Sequence, residues 1–227
     1  MKKSSLSRNE SQRLCVTFGR GEEVKYISHL DIMRLWVRAL RRAGMPLSYS
    51  EGFNPRPRIA IAAPLAVGVM SEGELLEIFM ERRASCDFFA RAMGKQLPDG
   101  IQIFDVKEIW PGLPSLQSQV RFAEYKVELE SERGPNEVAE AVRSLLGKEN
   151  LPWQHSRGKE VRHYDLRALI EDIWIADKDG ARYTLGMKLR NDSRGSGRPE
   201  QVALALGFSE PPTSICRTRI ILGTNGQ

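Results

Sequence analysis

Hydrophobic and polar positions along this chain fall into two stretches with the same rhythm. In residues 13–110, "RLCVTF" alternates as a strand does and "GRGEEV" breaks it. Ser28 stands where a helix N-cap belongs, with Asp31 three residues on as a weak capping box. Leu30, Met33, Val37 and Leu40 recur at helical spacing as the apolar stripe, and Gly44 with Pro46 ends the helix. "PRIAIAAP" reads as extended. "GELLEIFMER" sets Leu76, Ile78 and Met80 against Glu77 and Glu81, as a half-buried strand does. Cys86 to Leu97 reads as a helix stopped by "PDG", and "IQIFDVKEI" as a strand. The predicted order is β-α-β-β-α-β.

Residues 120–223 repeat it. "FAEYKVELE" alternates Tyr125, Val127 and Leu129 with Lys126, Glu128 and Glu130. Pro135 opens a helix that continues through Val138, Val142 and Leu145 to Gly147. "LIEDIWIAD", the turn "DKDG" and "ARYTLGMKLR" predict a hairpin. A helix from Pro199 and a strand over "SICRTRIIL" complete the unit. The fold class expected is therefore α+β, with two ferredoxin-like (βαββαβ) domains in tandem at 13–110 and 120–223. Residues 1–12 are expected as a short disordered arm. Residues 111–119, with two prolines and small polar side chains, are expected as the linker. A single larger α+β domain is the competing arrangement.

Composition narrows the class. The 227 residues are 41% hydrophobic and 28% charged, which suits a globular chain rather than a disordered one. No apolar run is long enough to cross a bilayer, and the first residues lack the apolar centre of a signal peptide. Cys15, Cys86 and Cys216 are odd in number and far apart. They fit reduced thiols of a cytoplasm better than a disulfide frame, and lack the spacing that holds zinc or an iron–sulfur cluster. No metal or cofactor is expected, nor any membrane or DNA partner.

Net charge is +5 and the isoelectric point is near 9.2, which makes a polyanionic partner plausible. The excess is local. Between Arg20 and Arg58 stand eight Lys/Arg and four acids, so this stretch carries most of it. At 100° per residue, Arg34, Arg38, Arg41 and Arg42 fall within roughly a 100° arc. One reading is a solvated helix face, partly paired to Asp31 or Glu51. The other is phosphate recognition, which suits the planar guanidinium fork. "NPRPR" adds Arg56 and Arg58 on a chain stiffened by Pro55 and Pro57, so less entropy is lost on binding. Ser28, Tyr49 and Asn54 can add neutral hydrogen bonds.

Smaller signals carry less. His29 falls in the first helical turn, where a cation opposes the helix dipole, so a neutral structural role is expected. Tyr26 with His29 can also be read as the acid–base pair of a ribonuclease. "WQHSRGKEVRHYDLR" reads as a polar, basic connector with Arg157, Lys159 and Arg162, in which Trp153 or Tyr164 can stack on a base. Asp165 and Arg167 can form an internal ion pair. "NDSRGSGRPE" sets glycines around Arg194 and Arg198 and can cradle phosphate, without the spacing of a Walker loop or dinucleotide fingerprint. No Ser/His/Asp or Cys/His nucleophile system is present in the order of residues.

The run "YISHLDIMRLWVRALRRAGMPLSYSEGFNPRPRIAIAAPLAVGVMSEGE" resembles the radical SAM-linked protein family, a bacterial domain of unknown function. That domain occurs free-standing or behind radical SAM modules that often carry a cobalamin-binding domain. With "DLRALI", "GRPEQVALALG" and "RTRI", the resemblance spans Leu14 to Leu222. Members commonly have His between the two prolines, where this chain has Arg56. The chain lacks the CxxxCxxC set of a radical SAM cluster, so the resemblance implies the partner portion, acting in trans. The tandem layout is also similar, at the level of fold, to CRISPR repeat-processing endoribonucleases.

The leading expectation is thus a non-catalytic RNA-binding or substrate-presenting accessory protein associated with a radical SAM enzyme. A module that docks such an enzyme without RNA, and a metal-independent endoribonuclease, are the alternatives.

Overall fold

Leu14, Val16 and Phe18 are wholly buried, as alternation requires of a strand with one face on a core. They belong to β1 (Gln12–Arg20) of the computed structural model, which describes residues 12–157 and 160–223 except the side chains of residues 155–157 and 160. The expected arm thus lies outside the described residues, apart from Gln12, which is buried in β1. The chain is α+β and divides into two units, one running to Val120 and taking in Leu222, the other Arg121–Ile221.

In the first unit β1 is followed by α1 (His29–Arg42), β2 (Ile59–Ile61), β3 (Met70–Met80), α2 (Cys86–Gly94), β4 (Ile101–Glu108) and α3 (Leu116–Gln119). β1 pairs antiparallel with β3 and β4, and β2 adds to β3, so the strand order is β2-β3-β1-β4. One face carries Leu14, Val16, Phe18, Leu76, Ile78 and Met80 against Trp36, Leu40, Phe89 and Met93 of the two long helices. The Phe18 and Trp36 rings meet edge to face at 5.0 Å.

The core stripe of α1 is Ile32, Trp36, Ala39 and Leu40. This corrects the expected stripe, because Leu30 is 66% exposed and Met33 and Val37 are only half-buried. The helix carries more apolar residues than its core contact uses, so spacing alone selects two overlapping stripes.

The other sheet face is covered around Arg13 and Glu77. Residues 111–119, expected as a linker, fold back over it. The Arg13 guanidinium donates to the carbonyls of Leu113 (2.6 Å) and Pro114 (2.8 Å) and pairs with Glu77. Glu77 also accepts from the Leu116 backbone N–H at 3.3 Å. Glu77 was expected on a solvated face. It is buried because β1 brings it a cation, Arg13, and the covering segment brings it an amide donor.

The second unit runs β5 (Val120–Glu130), α4 (Pro135–Leu146), β6 (Pro152–Arg157), β7 (Glu160–Asp165), β8 (Ile170–Asp179), β9 (Arg182–Asp192), β10 (Gly195–Ser196), α5 (Pro199–Ala205) and β11 (Ser214–Leu222). Its strand order is β8-β9-β5-β11, with β10 beside β9. Tyr125, Val127, Leu129, Tyr183, Leu185 and Met187 are buried on these strands. The expected basic connector is instead the hairpin β6–β7, with Trp153 opposite Tyr164 and Gln154 opposite His163. Its apolar residues do not alternate, because the hairpin is a separate two-stranded sheet with little core to face. No helix among the described residues is long and apolar enough to cross a membrane.

Candidate nucleic-acid interface

Local chemistry fixes where α1 begins. The Asp31 backbone N–H donates to Ser28 Oγ at 3.3 Å, and the Ser28 hydroxyl donates to Asp31 Oδ2 at 2.7 Å. Arg34 closes the cluster, donating to Asp31 Oδ1 at 2.9 Å. The Ser28 hydrogen bond, helped by Arg34, holds the Asp31 carboxyl below its ordinary range. Ser28 is thus occupied as a cap, and Arg34 is the arginine paired to Asp31.

The loop between α1 and β2 is held to itself. The Ser50 N–H donates to the Arg56 carbonyl at 2.9 Å, and the Arg56 N–H returns to Ser50 Oγ at 3.0 Å. Tyr49 bridges Pro57, and the Arg58 N–H donates to the Ser48 carbonyl at 2.8 Å. Asn54 is exposed beside Phe53, which stands at the tip fully exposed. The loop ends are therefore anchored, and Arg56 has a defined base from which to project.

Between α1 and this loop lies an open groove of about 750 Å³. Its apolar lining is Leu30, Met33, Val37, Pro57 and Ile59, and its cations are Arg34, Arg38, Arg41 and Arg56. No carboxylate lines it among the described residues. His29 completes one end. Burial pushes its imidazole below the usual value and Arg20 adds to this, while Glu74 opposes it, so the site favours the neutral ring.

The structure distributes the expected site residues unevenly. Arg34, Arg38, Arg41 and Arg56 meet at the groove. Arg42 turns away and donates to the Gln96 carbonyl at 2.8 Å, bordering a second hollow with Arg38 and Lys95. Arg58 stacks over the Phe79 ring at 4.3 Å. Tyr26 is exposed with the Lys25 ammonium 5.0 Å above its ring, and no hydrogen bond joins it to His29 among the described residues. Arg162 is exposed on β7 in the second unit. The Arg157 side chain and Lys159 lie outside the described residues.

Asp165 and Arg167 do not form the expected ion pair. Asp165 accepts from the backbone N–H groups of Leu151 (2.7 Å) and Arg167 (3.0 Å), while the Arg167 guanidinium donates to the Leu146 and Ile170 carbonyls. Sequence reasoning missed Leu30, Met33 and Val37 as groove residues and Phe53 as an exposed ring. The surplus apolar arc on α1 was the available signal for the first three; nothing in the sequence marks Phe53.

Such a groove is suited to an anionic chain that also has flat apolar parts. Guanidinium forks take phosphate oxygens, and the apolar strip takes bases or side chains.

Comparisons with known proteins bear on the fold and the family. A chain of the crystal structure of a Cbf5-Nop10-Gar1 complex is 10% identical with a TM-score of 0.51, over 91% of this chain and 48% of that one. A chain of an H/ACA RNP bound to a substrate RNA containing 2'-deoxyuridine is 10% identical with a TM-score of 0.49, over 91% and 47%. The chain thus spans about half the length of these solved chains, and the first likeness is one of fold. No curated protein matches it. The family model described as "Uncharacterized protein conserved in bacteria (DUF2344)" matches residues 13–199, and the chain belongs to that family.

Proposed function

We propose that this chain is an RNA-binding or substrate-presenting accessory protein with no chemistry of its own, acting in the cytoplasm. The observation that carries this reading is the groove beside α1, where Arg34, Arg38, Arg41 and Arg56 flank an apolar strip and none of the described lining residues is a carboxylate, Asp31 reaching it only through Arg34. Arg42 extends the basic surface toward a second hollow and Arg162 lies on the second unit, whereas Arg58 is held over Phe79. The likeness to the Cbf5-Nop10-Gar1 complex supports a related fold, and fold alone carries no ligand. The element order of the first unit, and the strand orders β2-β3-β1-β4 and β8-β9-β5-β11, support a ferredoxin-like reading of both units.

The test is binding of the full chain to bulk tRNA and rRNA fragments across a salt series, beside the variant with Arg34, Arg38, Arg41 and Arg42 changed to alanine. Each lost phosphate contact flattens the log–log salt slope by about 0.7–0.9. Equal affinities and slopes for both proteins overturn the reading.

Docking to a radical SAM enzyme without RNA is the second reading. It rests on the resemblance of Tyr26–Glu74 to the radical SAM-linked family. Leu30, exposed among the groove arginines, and Phe53, exposed in the loop, favour it further, since an acidic amphipathic segment would match them. Failure of RNA binding, together with copurification of such an enzyme from the native host, selects it.

A further inference from the structure

We infer that the second unit holds a separate site for a nucleotide phosphomonoester, in the hollow between the β6–β7 hairpin and the β9–α5 turn. The hollow measures about 420 Å³, within the range of small-molecule sites. Arg162 enters from β7, Arg194 from the turn after β9 and Arg198 from the residue preceding α5. Three guanidinium groups around one small hollow suit a dianionic terminal phosphate better than a singly charged diester. Tyr164 and Leu169 form an apolar wall against which a ribose or base can lie.

The walls are built rather than adventitious. Asp192 accepts from the Arg194 backbone N–H at 2.8 Å and from the Arg190 guanidinium at 3.0 Å, and Arg190 also donates to the Ala168 carbonyl at 3.2 Å. One arginine thereby ties the two sides together. A Cβ on Gly197 would stand 2.9 Å from the Leu169 carbonyl oxygen, so the turn lies closer to Leu169 than any other residue permits. The Tyr164 hydroxyl donates to Gln201 at 2.5 Å, which fastens the hairpin to α5.

Asp165, which lines the hollow, and Asp192, which stands behind Arg194, do not oppose an anion in full. Asp165 is occupied by two backbone N–H donors, and Asp192 by Arg190 and the Arg194 amide. Asp192 also lies 3.5 Å from the Arg194 guanidinium, which leaves part of that cation's capacity for a ligand.

This inference stands apart from the α1 reading, and its test separates the two. Calorimetry of the full chain at one fixed salt concentration would compare a short single-stranded RNA with a 5′-phosphate, a 3′-phosphate or neither, and the four mononucleotides alone. The expected result is a gain of about tenfold in affinity from a terminal phosphate, as charge-assisted hydrogen bonds supply. R162A/R194A should abolish the gain, and A168W should abolish it by filling the hollow, while R34A/R41A should retain it. Binding of mononucleotides as tight as that of the phosphorylated RNA identifies a free nucleotide as the source; preference for the RNA identifies a strand end. Equal affinity for phosphorylated and unphosphorylated RNA with no mononucleotide binding overturns the inference, whatever the salt series on α1 gives. A gain that survives in R162A/R194A and in A168W, both folded by circular dichroism, also overturns it.

Discussion

Arg56 and Arg58, two residues apart, serve different surfaces of the first unit. Arg56 lines the groove with α1, whereas Arg58 lies 4.3 Å over Phe79, whose neighbour Ile78 is the one that faces the helices. The same Phe79 ring receives Arg13 at 5.4 Å. Arg56→Ala should therefore flatten the salt slope of RNA binding by about 0.7–0.9. Arg58→Ala should leave that slope alone and cost about 0.5–1 kcal/mol of stability through the lost cation–π contact. A slope change in Arg58→Ala equal to that in Arg56→Ala would contradict this division.

Glu77 should be among the most sensitive positions in the chain. It is 3% exposed, paired with Arg13 and bonded to the Leu116 N–H. Glu77→Leu strands a buried guanidinium and should cost about 3–5 kcal/mol in urea unfolding. Removing both charges, as Arg13→Met with Glu77→Leu, should recover part of that loss. The double variant still orphans the Leu113 and Pro114 carbonyls, so recovery should be incomplete. A double variant no more stable than Glu77→Leu alone would refute the coupling.

Trp36 is a packing residue. Its ring is wholly buried against Phe18, and its indole N–H has no hydrogen-bond partner among the described residues. Trp36→Ala should cost about 3–5 kcal/mol through the cavity left behind. Trp36→Phe breaks no hydrogen bond and keeps an aromatic edge, so its cost should be well below that of the alanine variant. Similar losses for the two would point to a hidden polar role.

His29 should make stability depend on pH. Its folded value is depressed, so the folded state favours the neutral ring. The unfolded chain, near the ordinary value of 6.5, binds the proton first as pH falls. The contribution is therefore full above about pH 6.5 and is lost on acidification toward the depressed folded value. His29→Gln should flatten the fall in urea midpoint between pH 7 and pH 5 relative to the parent chain. Parallel curves for the two proteins would remove His29 from the account.

Much of the architecture was legible because periodicity reports which face of an element is buried. β5 follows its alternation, and α4 follows Val138, Val142 and Leu145. The β6–β7 hairpin was not legible, since "QHSRGKEVRHY" has no apolar alternation to reveal it. Helix ends were less exact than helix existence: α2 stops at Gly94 rather than Leu97.

The sequence by itself determined the α+β elements, the arginine face of α1 and the stiff Pro/Arg turn, because each depends on neighbours within a few residues. Tertiary structure decided which arginines work together. Arg56 joins Arg34, Arg38 and Arg41 because its loop, closed on itself by Ser50, folds back beside the helix. Arg42 is diverted to the Gln96 carbonyl and Arg58 to Phe79, partners 54 and 21 residues away in the chain. It also decided that Glu77 is buried, since a strand's alternation names the outer face and cannot say what folds back to cover it.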